Sequence, residues 1–133
     1  MRYLLDTCVV SDFVKGDPNT SKRLKLVFPE DISVSAVTSM ELKYGLAINP
    51  QRAIKIQPLI TSFLNSVTVL PFEEAEAEQT AQIRNFLKQA GTPIGAYDVL
   101  IAATAITHKL ILVTANVREF ERVPNLKIEN WHD

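Results

Sequence analysis

Three carboxylates stand where a carboxylate is costly: Asp6, Glu41 and Asp98. Asp6 ends the short apolar run in RYLLDTCVV. Glu41 falls in the middle of a stripe made by Val37, Tyr44 and Ile48, which share a face at about 100° per residue of helix. Asp98 opens the segment AYDVLIAATAITHK, apolar nearly all round, and shares a face with Ile101, Ala102 and Ala105. Each has a plain explanation. Asp6 and Asp98 can cap or complement a helix start, and Glu41 can reach out to water. Taken together the plain explanations weaken, because burying an unpaired carboxylate is expensive and packing several together adds repulsion. A hard divalent cation offsets both costs.

The remaining side chains narrow the ion. Zinc takes Cys and His at short, regular spacing. Here His108 and His132 are isolated and read as surface residues, and Cys8 stands alone. Oxygen ligands suit Mg²⁺ or Mn²⁺, which keep some waters and hold phosphate oxygens. Such ions lower the pKa of a water and offset charge on attacking and leaving oxygens. That chemistry suits hydrolysis of a phosphodiester. There is no GxxxxGK[ST] loop for a nucleotide and no GxSxG elbow for a serine nucleophile. The histidines lack the setting of a metal-free ribonuclease pair. A phosphoaspartate receiver needs paired acids after the first strand, and the pairing is missing.

The elements that must position these acids alternate. Strands are expected at 2–5, 32–36, 67–72 and 110–114, with LKIENW as a last edge strand. Helices are expected from Thr7 to Gly16, through DPNTSKRLKLVF, over 36–47 with Ser35 as cap, through QRAIKIQPLITSFLNS with Pro58 as a bend or boundary, through the acidic-start segment ending at Gly91, and after Gly95. This pattern implies a mostly parallel central sheet of four to five strands, covered by helices on both faces. Residues 1–133 read as one domain. In an open α/β sheet, ligands bind beyond the carboxyl ends of the strands. That edge gathers Asp6, Thr114 and Asn116.

The chain carries a formal net charge of −1, so any polyanion must meet a local patch. Arg118 and Arg122 are candidates to hold phosphates, and Lys22, Arg23 and Lys25 form a second small basic group, read as a solvated face. A single cysteine excludes an internal disulfide and makes a reducing cytoplasm the expected setting. No apolar run approaches the ~20 residues of a membrane span.

The segments YLLDTCVVSDF, SAVTSMELKYG, GTPIGAYDVLIAATAI and LVTANVREFERVPNLKIENW resemble, in order, the motifs of PIN-domain ribonucleases, in particular the VapC toxins of VapBC toxin–antitoxin pairs. The resemblance spans essentially the whole chain. It implies a three-layer α/β/α sandwich and a Mg²⁺- or Mn²⁺-dependent endoribonuclease that inhibits translation, with the anticodon loop of initiator tRNA as a first guess for the target. It also implies a homodimer, a VapB-type antitoxin as partner, and an antitoxin arginine that enters the acidic pocket. By position, Asp6, Glu41 and Asp98 match the family's acids, with Asp6 and Asp98 as direct metal ligands and Glu41 as a water-mediated ligand or general base. Many relatives carry an aspartate where this chain has Asn116, so Asn116 or Glu119 completes the catalytic set. Cys8 replaces a common asparagine. Thr7 and Thr114 are expected to donate hydroxyls to the acids. The alternatives are a binding module that has lost catalysis, favoured by the missing fourth acid, and a metal nuclease acting on DNA.

Overall fold

The structure, a computed structural model, describes residues 1–133. Its centre is β1 (Tyr3–Leu5), buried throughout and flanked by β2 (Ile32–Ser35) and β4 (Ile111–Val113). Adding β3 (Thr68–Leu70) and β5 (Ile128–Glu129) gives the order β3-β2-β1-β4-β5, with every pair parallel. A parallel sheet needs cover on both faces, and the alternation of side chains along β1 shows it. Leu4 packs in one core with Leu87, Ile101, Leu112 and Phe120. Tyr3 and Leu5 pack in the other with Val9, Val10, Phe63, Val113 and Trp131.

The helices form the outer layers of an α/β/α sandwich. On one face lie α5 (Glu74–Gln89) and α6 (Ala96–Thr107), which contribute Ile83, Leu87, Ile101 and Ala105. On the other, α1 (Thr7–Val14), α3 (Ala36–Ile48) and α4 (Pro50–Ser66) contribute Val10, Leu42, Ile60 and Phe63. A short α2 (Pro18–Leu24) follows α1, and the single-turn α7 (Val117–Phe120) follows β4. Gly16 and Gly91 stop their helices in the left-handed region, at φ +90° and +73°.

Several sequence expectations need correction. Pro58 is not a boundary; α4 runs through it. Proline removes the bond to the carbonyl four residues back. That residue, Ile54, is 78% exposed, so water can take its place. The segment DPNTSKRLKLVF is helical only to Leu24. On α3, Val37 is buried as expected, but Tyr44 and Ile48 are each 63% exposed, and Thr38, Leu42 and Leu46 turn inward instead. The histidines are structural rather than free surface residues. His108 Nε2 lies 3.2 Å from the buried Glu76, and His132 Nε2 lies 2.6 Å from Asp12. Lys22 and Lys25 are exposed as expected, but Arg23 pairs with Glu129 at 3.4 Å and lies over the Trp131 ring, so it helps hold the C-terminal segment.

Candidate active site

The strand order reverses at the centre of the sheet. The chain steps outward from β1 to β2 to β3, then returns to place β4 on the other side of β1. Ligand crevices open at such reversals, outside the carboxyl ends of the strands. Leu5 is level with Val113, so the next residues, Asp6 and Thr114, emerge side by side.

Asp6 is 4% exposed. Its Oδ1 accepts the Thr7 N–H at 2.7 Å, capping α1, and its Oδ2 accepts the Thr114 hydroxyl at 2.8 Å and the Cys8 thiol at 3.3 Å. The cap and the site are therefore one arrangement. Glu41, half-buried on α3, accepts the Thr7 hydroxyl through Oε1 at 2.7 Å, and Thr7 Oγ1 lies 3.0 Å from Thr38 Oγ1. Ser35 sets the start of α3 by accepting the Val37 N–H at 3.0 Å.

From Thr114 the chain of contacts continues to the fourth position. Thr114 Oγ1 accepts the Asn116 N–H at 3.0 Å, and the Asn116 amide donates to Glu119 Oε2. Glu119 Oε1 accepts the Gly95 N–H at 2.8 Å. Glu119 also hydrogen-bonds Asp98. Burial, then the hydrogen bond and charge of Glu119, then the charges of Asp6 and Glu41 push the Asp98 carboxyl up to about 7. Burial pushes Glu119 upward too, but bonds from Gly95, Asp98 and Asn116 outweigh it and hold it below the usual range.

Hydrogen bonds thus link Asp6 to Glu41 through Thr7 and to Asn116 and Glu119 through Thr114, and Asp98 lies within reach of the charges of Asp6, Glu41 and Glu119. Asn116 adds no charge; it orients the carboxylate that α7 supplies. Arg122 adds a positive charge near Glu119 and donates to the Pro93 carbonyl at 3.4 Å, while Arg118 is exposed. Thr38 and the Gly95 amide were not foreseen in the sequence. A hydroxyl three residues before Glu41 was the available signal for the first, and GAYD for the second.

The donor chemistry suits a hard dication, since the facing groups are carboxylates, hydroxyls and an amide. Electrostatics agree, because the charges of Glu119, Asp6 and Glu41 all push the Asp98 carboxyl up. No three His, Cys, Asp or Glu side chains are gathered tightly enough to ligate an ion as placed, so closure on one requires side-chain rotation.

Cys8 reports on this field. The residue is exposed, yet its thiol turns inward, and burial followed by the Asp6 charge pushes it up to about 12. Only the thiolate alkylates. With EDTA present at pH 8, iodoacetamide should label Cys8 at least about tenfold more slowly than free cysteine, and Asp6→Asn should speed the labelling. Labelling at the free-cysteine rate would mean that the thiol does not face Asp6.

No helix is long and apolar enough to cross a membrane. The family model for the PIN domain matches residues 3–126. The chain is 34% identical to the tRNA(fMet)-specific endonuclease VapC of Salmonella typhimurium, over 98% of each chain. It superposes with a TM-score of 0.90 and 31% identity on a chain of VapBC2 from Rickettsia felis bound to a DNA fragment from their promoter, covering 98% of this chain and 99% of that one. A VapBC complex from Salmonella typhimurium, also bound to DNA, gives 0.89 at 35% identity, over 98% of each chain. With its parallel sheet, acidic crevice and end-to-end matches, the chain belongs to the PIN-domain family, among the VapC toxins.

Proposed function

We propose that this chain is a divalent-metal-dependent endoribonuclease toxin, held in check by a VapB-type antitoxin. What carries the reading is the setting of Asp98, whose carboxyl is pushed up by burial, then by the hydrogen bond and charge of Glu119, and then by the charges of Asp6 and Glu41. Acids kept in such company serve a cation. Asp6 and Asp98 are the direct ligands, with Glu119 as the fourth acid and Mg²⁺ or Mn²⁺ as the ion. When bound, the ion activates a water and offsets charge on the scissile phosphate. Glu41 Oε1 is engaged by Thr7, which leaves Oε2 to take a proton from the attacking water. Thr7 and Thr114 fix the carboxylates in place, and Arg118 and Arg122 hold flanking phosphates.

The substrate is RNA with unstacked bases, which proteins read most readily. Initiator tRNA is the specific proposal, since the Salmonella relative is named for it. Glu119 beside Asp98 weighs against a purely binding module, because the charge missing at Asn116 is restored.

The test is direct. Purified protein is incubated with initiator tRNA, total RNA or single-stranded DNA, in Mg²⁺, Mn²⁺ or EDTA. The expected result is metal-dependent scission of RNA, leaving 5′-phosphate and 3′-hydroxyl ends. Cleavage that persists in EDTA, or ends carrying cyclic phosphate, would sink the hydrolytic mechanism. Scission of DNA alone would reassign the substrate.

A further inference from the structure

Helix α6 begins in an atypical way. In a capping box, the side chain at the third helical position takes the backbone N–H of the residue before the helix. Here those residues are Asp98 and Gly95. The Gly95 N–H goes instead to Glu119 Oε1 at 2.8 Å. Asp98 nevertheless folds back over Gly95. A Cβ at position 95 would lie 2.8 Å from Asp98 Oδ2 and 3.6 Å from Glu119 Oε1. The first separation is well inside van der Waals contact, so the carboxylate and any Cβ cannot share that space.

The backbone does not itself demand glycine. At φ −55° and ψ 147° any residue is comfortable. Serine is moreover the better residue at a helix N-cap. Nor is crowding general, since a Cβ at Gly16, Gly45 or Gly91 meets nothing within 4 Å. What glycine supplies here is room beside one carboxylate.

We propose that Gly95 is a positioning residue for the acid pair: its missing side chain keeps open the space that Asp98 occupies, and its amide pins Glu119, so one residue sets the placement of both. The inference rests on the metal-nuclease reading for its consequence, but not for its geometry. Its test uses Mn²⁺ as probe, by calorimetry on the full chain, beside RNA cleavage and thermal melting in EDTA. Gly95→Ala and Gly95→Ser should each weaken Mn²⁺ binding and lower kcat by about tenfold or more, as displaced catalytic groups do, with KM for RNA within about twofold. The deciding measurement is a double-mutant cycle in melting temperature. Any loss caused by Gly95→Ala should vanish in an Asp98→Ala background, where the clashing carboxylate is gone.

Unchanged Mn²⁺ affinity and kcat in Gly95→Ala would overturn the proposal. So would recovery in Gly95→Ser, which would reduce the position to a helix cap, or an equal melting loss in both backgrounds. If the wild type binds no Mn²⁺, the metal reading fails instead, and the melting cycle still decides the role of Gly95.

Discussion

Asp6→Asn lowers metal-dependent RNA cleavage by about a thousandfold, equivalent to about 4 kcal/mol of transition-state stabilisation, while the protein stays folded. The substitution removes one negative charge from the centre of the crevice and almost nothing else. The asparagine oxygen still accepts the Thr7 N–H that caps α1, and asparagine is among the best capping residues. The Thr114 hydroxyl can accept from the new amide where it formerly donated to Oδ2. On the proposed function, what disappears is the charge that would pair with the cation, and with it much of the stabilisation the cation would give the scissile phosphate. Initial rates in saturating Mg²⁺, with melting temperature as a folding control, check the result. A loss of less than about tenfold with the fold intact would remove Asp6 from the metal site.

Trp131→Ala produces the largest loss of stability, about 3–5 kcal/mol. The indole is fully buried, meets Tyr3 edge-on at a centroid distance of 5.0 Å, and donates to Glu129 Oε1 at 3.0 Å. Arg23 covers it with its guanidinium 5.5 Å away. Removing it opens a cavity against β1, the strand on which the sheet is built. Set against a total stability of about 5–15 kcal/mol, the change should lower the melting temperature by roughly 10–20 °C. Calorimetry measures this, and a fall below about 5 °C would mean that the C-terminal segment is not anchored through Trp131.

The sheet was legible because a strand buried on both faces is apolar at consecutive positions, as in YLL and LILV, or carries small residues such as the serines of ISVS, between helical segments. Helix ends were legible where residues carry the signal locally, as with Ser35, Gly16 and Gly91. Pro58 misled because local sequence does not say which side of a helix faces water. The α3 stripe misled for a related reason: Val37 belongs to a different core from Leu42, so no single face of that helix is the buried one. The three acids could be picked out because they interrupt apolar patterns. Glu119 was reached only through the family resemblance, as an alternative to Asn116, since on a one-turn helix after the last central strand it looks like any surface glutamate. Only the register of β1 with β4 and the start of α6 bring it to Asp98. The two histidines showed the converse limit, because their acid partners lie 32 and 120 residues away.

The position of β1 also governs when the molecule can become active. The strand is made well before one of its neighbours, β4, and Asp6 waits for a hydroxyl 108 residues downstream. Contacts that distant form slowly, since a long loop must close before any of them contributes. This arrangement therefore cannot assemble until Thr114 has been made, and a product ending before β4 lacks both the sheet's other half and the acid from α7.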